Sequence, residues 1–345
     1  QGLLDVAPEC AFFLASPDRR LWGEGRAVEL GGLPADDGVI LFERELDRQL
    51  TKQERPLVVE IFSALRGHPL HLLQAAALVR EQRYTLAELA QHVKKDPSTE
   101  ALAAEIVAGL SDPEQQVMKL LAALNGAPLS IDHLAEIAGL SEPEQILQTL
   151  ARRQLVQAHS PRYSVTGTLG QTLAQMWELS AKAEEALNYF ANWAEQNQQL
   201  PEQVLSEIDT NLQLQTWAAE TGKWVDVLRF GRAIEVPLAL AKRWGAWEQV
   251  LLRGLQAGEL INDRVTVAYA LHQLGTRALC LGDMTTARSS LNQALRLRHR
   301  LGDQSGAAVT RHNLNFLSAP PASGGGEAGS TPPPSSTPPS GWSMI

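Results

Sequence analysis

Arg66-Gly67-His68-Pro69-Leu70 joins two segments with helical apolar spacing, and it decides how the flanking sequence is interpreted. The glycine suits the end of the first helix, because the residue after a helix often needs a positive φ. The histidine precedes a proline and should be extended, while the proline fits the first position of a new helix. The stretch thus predicts a tight turn with the free N–H groups of a helix N-terminus facing outward. Two interpretations stay open: a contact for a small molecule, or a plain connector between helices.

Length and composition predict two to four folded units and argue against several classes of protein. The chain has 345 residues, of which 44% are hydrophobic, as in globular domains. Its net charge of −9 argues against a protein that coats nucleic acid or an anionic membrane. Cys10 and Cys280 make no disulfide framework, and no apolar run approaches the length of a membrane span. The sequence shows no signal peptide, so we expect a cytoplasmic protein without a membrane partner.

Residues 1–98 are predicted to contain the end of one domain and a second, helical domain. Residues 1–28 hold one buried strand, which cannot bury both faces alone, so we expect the C-terminal remnant of an α/β nucleotide-binding domain. Residues 29–98 are predicted to form a small helical bundle around the Gly-x-Pro-Leu turn. Its predicted helices are Asp36–Leu50, Glu54–Leu65, Pro69–Gln82 and a short segment, Thr85–Ala90.

Residues 99–166 carry the signals of three helices and a β-hairpin. Capping boxes at Ser111-Asp112-Pro113-Glu114 and Ser141-Glu142-Pro143-Glu144 predict the starts of the first and third helices. The segments Leu155–Ala158 and Arg162–Val165 flank a turn and predict the hairpin. Three helices followed by a hairpin predict a winged helix.

Residues 167–317 are predicted to be all helical, with an internal repeat. The segment Asp263–Leu274 recurs 40 residues later as Asp303–Leu314, with alanine, histidine and leucine at matching positions. The pattern resembles a long variant of the tetratricopeptide repeat, whose helical hairpins stack into a solenoid. Gly222-Lys223-Trp224 and Trp244-Gly245-Ala246-Trp247 resemble the turns of earlier, degenerate copies.

The order of four short motifs resembles the C-terminal part of a STAND or NB-ARC-type signalling ATPase. The motifs are Leu14–Glu24, Leu30-x-x-Leu33-Pro34, Leu41-Phe42 and Gly67-His68-Pro69-Leu70. The resemblance covers roughly residues 1–317. It implies a mainly α chain: the remnant of an α/β P-loop domain, a helical lid, a winged helix with a small β-hairpin, and a tetratricopeptide-like α-solenoid.

In that family ATP or ADP, with Mg²⁺, lies between these domains, and the resemblance implies a set of nucleotide contacts. They are Ser16, Arg19, Gly67, His68, Pro69, Leu70 and Thr166. Pro69 would abut the adenine, and Arg19 or Arg20 would replace a sensor arginine whose own position holds Pro17. Thr166 and Gly167 stand where the family has the histidine and aspartate of a Met-His-Asp motif. Threonine can donate a hydrogen bond but cannot carry charge, so the nucleotide is either held differently or bound more weakly.

No complete phosphate-binding loop is found in the sequence. The nearest match, Gly324–Thr331, lacks the lysine that reaches the phosphates and follows no predicted strand. It lies in residues 318–345, a Pro/Gly/Ser-rich tail that is predicted to be disordered. The resemblance therefore implies a phosphate loop upstream of Gln1. We predict no catalytic residue in this chain, and slow nucleotide hydrolysis by a full-length protein stays open.

Nucleic acid and metal ions are not expected to bind. The presumed recognition helix has Arg152 and Arg153 only at its C-terminal end, and residues 111–166 contain six acidic and four basic side chains. No spacing of histidine and cysteine suits a metal site. His272 and His312, one repeat apart, are expected in inter-helix packing or in a ligand groove.

The combined prediction is a regulatory protein of signal transduction. Nucleotide would hold the switch closed, the helical repeats would sense a protein partner or ligand, and activation would produce a homo-oligomer. A nucleotide-independent interaction scaffold built on the repeats is the alternative, which Pro17, Thr166 and Gly167 favour. A winged-helix transcriptional regulator is less favoured, because it would need a basic surface.

Overall fold

The computed structural model describes Cys10, residues 28–159 and residues 161–317. These residues form helices and one small antiparallel sheet, so the chain is mainly α, as predicted. They belong to two compact units, Gln1–Arg243 and Trp244–Ile345, each of which we describe by itself. None of the helices described combines the length and the apolar character that crossing a membrane requires.

The described part of the first unit contains thirteen helices and three strands. The helices are α1 (Ala35–Leu46), α2 (Glu54–Ala64), α3 (Pro69–Arg80), α4 (Leu86–Lys95), α5 (Thr99–Val107), α6 (Asp112–Ala123), α7 (Ile131–Ala138), α8 (Pro143–Arg152), α9 (Leu169–Met176), α10 (Ser180–Gln196), α11 (Pro201–Ser206), α12 (Ile208–Glu220) and α13 (Trp224–Leu240). The strands are β1 (Leu129–Ser130), β2 (Val156–Ala158) and β3 (Arg162–Val165). The second unit contains α14 (Trp244–Leu260), α15 (Arg264–Cys280), α16 (Met284–Leu301) and α17 (Gln304–Phe316) among its described residues.

Helices α1 to α4 lie in the segment 29–98, where four helical segments were predicted, and their bounds differ in part from the prediction. The first predicted helix was too long, because Asp47 adopts a left-handed conformation with φ 55° and ends α1 at Leu46. The predicted short segment after Thr85 is a full helix, α4. It begins at a capping box in which the Thr85 N–H donates to Glu88 Oε2 at 2.8 Å and the Glu88 N–H donates to Thr85 Oγ1 at 3.2 Å. Helix α5, capped by Ser98, had not been predicted.

Helices α6 to α8 occupy the segment where three helices were predicted, but only one predicted capping box forms. The Ser111 N–H donates to Glu114 Oε2 at 2.8 Å at the start of α6. The second box is wrong, because α8 begins at Pro143 with Glu142 as its N-cap and no side-chain cap. A residue before proline is driven out of the α region, and Glu142, with φ −132° and ψ 62°, follows that preference. Ser141 therefore lies one residue before the N-cap, and its side chain does not cap α8.

The sheet has three antiparallel strands in the order β1-β3-β2. The predicted hairpin is present, with Val156 opposite Val165 and Ala158 opposite Tyr163. Strand β1 adds Leu129 opposite Tyr163 on the other edge of β3. This third strand had not been predicted, since two residues carry no alternation pattern. In chain order, residues 111–166 thus contain α6, β1, α7, α8, β2 and β3.

The helices from α12 onward follow a period half as long as the predicted repeat. Left-handed residues end α12 to α16 at Gly222, Lys242, Asn262, Gly282 and Gly302, which are 20 residues apart. The repeat of 40 therefore consists of two helix-and-turn units. The turn predicted at Trp244-Gly245-Ala246-Trp247 is wrong, because these residues form the first turn of α14. The turn itself lies at Lys242, where a lysine adopts the conformation that glycine adopts elsewhere.

Helices α15 and α16 of the second unit approach closely at a glycine. A Cβ atom on Gly275 would lie 2.6 Å from Leu291 Cγ, so any side chain there would push the two helices apart. Leu291 is completely buried at this contact. The small residue thus permits the antiparallel packing that the repeat pattern predicted.

Candidate functional site

The α2–α3 turn has the predicted backbone conformation. Gly67 has φ +65°, after Arg66 with φ 53°, and these two left-handed residues reverse the chain after α2. His68 is extended, with φ −70° and ψ 117°, and Pro69 is the first residue of α3. His68 and Pro69 are exposed, whereas Leu70 is half-buried. The turn therefore presents the N-terminus of α3 next to solvent-accessible side chains.

The linker before α1 packs against this turn. The Leu33 N–H donates to the carbonyl oxygen of Gly67 at 2.9 Å. A Cβ on Gly67 would lie 2.9 Å from the Leu33 oxygen and 2.8 Å from Cζ of Phe62. The glycine is required both by its positive φ and by these two contacts. Two of the motifs that suggested the family resemblance, the Leu-x-x-Leu-Pro linker and the Gly-x-Pro-Leu turn, are thus in direct contact.

The first turn of α3 offers unpaired donors beside two stacked imidazoles. Within the part of the chain that the structure describes, the backbone N–H groups of Leu70 and His71 have no acceptor. The rings of His68 and His71 stack with centroids 4.1 Å apart. Burial, with a smaller contribution from His68, lowers the pKa of His71 to about 4. His71 is therefore neutral at neutral pH, and its ring adds no positive charge beside these N–H groups.

The structure brings the start of α3 against the end of β3. Gly167, with φ +55°, follows the sheet directly, and a Cβ on it would lie 2.9 Å from Leu70 Cδ2. The neighbouring hydroxyl of Thr166 is buried and has no hydrogen-bond partner among the described residues. A buried polar atom without a partner is uncommon in a folded protein and calls for a physical explanation. Leu70 thus lies against the residue that follows Thr166, so two sequence-predicted positions lie at one junction.

The remaining predicted contacts cannot be placed at this junction. Ser16, Arg19, Arg20 and Pro17 lie outside the described residues, and so does the glycine-rich segment Gly324–Thr331. The described wall of the candidate site therefore consists of the α2–α3 turn on one side and the β3–α9 turn on the other.

Hydrogen bonds and ion pairs fix α3 relative to the end of α8. Gln74 Nε2 donates to the Gln154 carbonyl at 3.3 Å, and Arg80 Nη2 donates to the Arg152 carbonyl at 2.9 Å. Arg153 pairs through Nε with Glu81 at 2.7 Å and through Nη1 with Glu114 at 3.1 Å. One of the two arginines considered for DNA contact is thus held by two carboxylates of the same chain.

A second polar network joins the sheet to the helices that follow it, and sequence reasoning missed it. The carboxylate of Glu207, only 4% exposed, accepts two hydrogen bonds from Arg162, at 2.6 and 2.7 Å. His133 Nε2 lies 3.3 Å from the same carboxylate, and its Nδ1 lies 2.8 Å from the Tyr189 hydroxyl. That hydroxyl donates to Glu136 at 2.9 Å. We name these five side chains the Glu207 network.

Within the Glu207 network, burial and the partner side chains shift the pKa of Glu207 in opposite directions. Burial alone would raise the pKa of Glu207, but hydrogen bonds from His133 and Arg162 outweigh it and leave the pKa below its ordinary value. Burial and the hydrogen bond to Glu136 raise the pKa of Tyr189. Because the partners lie on β3, α7, α10 and the α11–α12 junction, no local pattern could have revealed them.

The two repeat-related histidines have different environments. His272 on α15 is 7% exposed, and its Nδ1 lies 3.2 Å from the Thr310 hydroxyl on α17. His312 on α17 is exposed, and its ring lies 4.9 Å from the Phe316 ring between centroids. His272 thus takes part in the inter-helix packing that was expected, whereas the ring contact of His312 is to a residue of its own helix. No cluster of metal-ligating side chains occurs among the described residues.

Comparison with known proteins assigns neither a family nor a function to the chain. No family model and no curated protein matches the chain. One similar solved structure is a STAND (signal transduction ATPase with numerous domains) protein with a tetratricopeptide repeat sensor from Pyrococcus horikoshii. The two are 12% identical with a TM-score of 0.37, and the match covers 84% of this chain and 57% of that one. The chain thus spans little more than half of that structure, and a likeness this distant assigns no function.

Proposed function

We propose that the chain is the regulatory part of a nucleotide-dependent signalling switch. ATP or ADP would bind where the N-terminus of α3 meets the β3–α9 turn, and the helices of residues 167–317 would carry the sensor for a protein partner or ligand. The observation that carries the proposal is the meeting of Leu70 and Gly167 beside the unpartnered Thr166 hydroxyl. A bound phosphate would satisfy that hydroxyl and the free N–H groups of α3 together.

The geometry favours an anionic ligand at this junction. The N-terminus of α3 carries the positive end of its helix dipole, and Leu70 and His71 supply donors without described acceptors. The exposed ring of Pro69 is an apolar surface against which an adenine could pack. The Mg²⁺ site would lie with the phosphate loop that the resemblance implies for a full-length protein. A nucleotide at the junction would touch both the helical bundle and the sheet, so its loss would weaken their contact.

Removal of the Thr166 hydroxyl tests the proposal. Thr166→Val keeps the shape of the side chain and should weaken binding of fluorescent ADP to the full-length protein about tenfold, as expected for one hydrogen bond to a charged group. Without nucleotide the same change should be neutral or stabilising, because it removes a buried unpaired hydroxyl. Thr168→Val, at an exposed position two residues on, is the matched control. Equal ADP affinity in all three proteins would refute the proposed site.

One observation favours the alternative, a nucleotide-independent interaction scaffold. Threonine and glycine occupy the two positions where the family has a histidine and an aspartate, and neither can supply a charge. A full-length protein that binds no ADP or ATP but still binds a partner through its repeats would support this alternative.

A further inference from the structure

One face of the last described helix is partly apolar, and none of the described residues covers it. Along α17, Ala308, Val309, His312 and Phe316 follow helical spacing and lie on one side. All four are exposed, with Val309 51% and Phe316 63% accessible. We name these four residues the α17 face. Large apolar side chains grouped in this way on a helix commonly mark a contact surface.

The equivalent positions of the preceding repeat unit, on α15, pack against another helix. Forty residues earlier, the same positions of α15 include Ala268 and His272, which are 2% and 7% exposed. Helix α17 itself contacts this side of α15: the Thr310 hydroxyl lies 3.2 Å from His272 Nδ1, and Asn313 Nδ2 donates to the Thr276 hydroxyl at 2.9 Å. The face of α15 is thus occupied by a helix, whereas the equivalent face of α17 has no such cover among the described residues.

The charge around the α17 face identifies the kind of helix that would fit. Helices α16 and α17 contain five arginines and no aspartate or glutamate. Arg311 lies on α17 next to His312, is exposed, and makes no ion pair within the described residues. Arg288 donates to the Leu317 carbonyl at 3.1 Å, which holds its guanidinium at the end of α17 near Phe316. The apolar stripe is therefore flanked by positive charge.

We propose that the α17 face binds an amphipathic helix with acidic flanks from a protein partner. A second copy of this chain, related by two-fold symmetry, would place Arg288 and Arg311 of both copies close together, and like charges oppose that pairing. An acidic helix would cover Val309 and Phe316 with its apolar stripe and pair its carboxylates with the arginines. The partner class deepens the sensor role in the proposed function and rests on that role, but not on nucleotide binding.

A designed helical peptide tests the proposal in the absence of nucleotide. The probe is a fluorescein-labelled peptide of about 18 residues, with leucines along one face and glutamates along both flanks, titrated with the full chain and followed by fluorescence anisotropy. We expect saturable binding that weakens about tenfold in Phe316→Ala and about threefold in Arg311→Ala. Binding should also weaken as salt is added. A peptide with lysines in place of the glutamates should not bind.

Matched variants separate this surface from a general loss of structure. Val265→Ala removes a 64% exposed apolar side chain, and Arg264→Ala an exposed arginine, both at the start of α15, the end opposite to Thr276, which contacts Asn313 of α17. Both should bind the acidic peptide as the parent does, and circular dichroism should show that all four variants are folded. Equal binding of the two peptides, or no effect of Phe316→Ala, would overturn the proposal. So would self-association of the chain that Phe316→Ala abolishes, because a second copy would then cover the face. Since no nucleotide is present, a failure here leaves the proposed nucleotide site standing.

Discussion

Neutralising Glu207 should destabilise the first unit far more than neutralising an exposed carboxylate of similar geometry. Glu207→Gln keeps the size of the side chain and removes its charge. The carboxylate is 4% exposed and faces both Arg162 and His133, so the variant leaves a buried guanidinium beside a neutral amide. Breaking a buried pair costs about 3–5 kcal/mol. Arg162 is still 22% exposed, and water screens part of its charge, so we expect a loss of about 2–3 kcal/mol.

Glu195→Gln is the matched control. Arg229 binds Glu195 through two nitrogens at 2.7 and 2.8 Å, much as Arg162 binds Glu207, and it also joins two helices. The side chains of this pair are 34% and 40% exposed, however. A pair of that exposure contributes at most about 1 kcal/mol, so its neutralisation should change the free energy of unfolding little.

Urea unfolding measures the difference between the two variants. Circular dichroism reports the helices, and tryptophan fluorescence includes Trp193, whose ring lies 5.0 Å from His133. Both signals should be fitted for each variant, because the two units can unfold separately and a single two-state free energy applies only where the signals coincide. Equal destabilisation by Glu207→Gln and Glu195→Gln would refute the reasoning, since burial is the feature that distinguishes the pairs.

Three further predictions concern packing, pH and capping. Gly275→Ala should destabilise the second unit by about 1–3 kcal/mol, because the new methyl group would clash with Leu291. Chemical denaturation measures this loss. The control is Gly245→Ala, which has no neighbouring atom within 4 Å of the added Cβ and should be neutral or slightly stabilising. Burial and then the charge of Arg298 lower the pKa of His272 to about 4. The unfolded chain therefore binds the extra proton first, so stability should fall by about 2–3 kcal/mol between pH 6.5 and pH 4, and His272→Gln should remove that part of the pH dependence in denaturation curves. Thr85→Ala should cost about 1 kcal/mol in thermal unfolding by removing the capping box of α4.

Local signals predicted much of the fold, but two nearly identical motifs did not give the same helix start. Ser111-Asp112-Pro113-Glu114 and Ser141-Glu142-Pro143-Glu144 differ by one methylene, yet only the first caps a helix through its serine. The residue before proline is helical in one case, Asp112, and lies outside the helix in the other, Glu142. That choice depends on what the neighbouring helices impose, which a short motif does not contain. The α2–α3 turn, by contrast, was predictable because proline fixes its own φ and glycine readily adopts the positive φ that the turn requires.

The candidate site was predictable only as separate pieces. Leu70 and Thr166 came from different motifs, and their meeting at Gly167 depends on how the sheet packs against α3. The Glu207 network was not predictable at all, because its side chains come from four elements that only the folded chain brings together. The 20-residue period, in turn, was hidden by Lys242 and Asn262, which adopt a left-handed conformation usually signalled by glycine.

Photoaffinity labelling with an azido-adenine analogue of ADP tests the central claim most directly. Trypsin cleaves after Arg66 and Arg80, so one peptide, residues 67–80, contains the whole of α3 with Pro69 at its start. If the adenine abuts Pro69, mass spectrometry of the labelled full-length protein should find the adduct on this peptide, and excess unlabelled ADP should suppress it. Labelling that avoids residues 67–80, or that unlabelled ADP does not suppress, would contradict a nucleotide site at the α2–α3 turn.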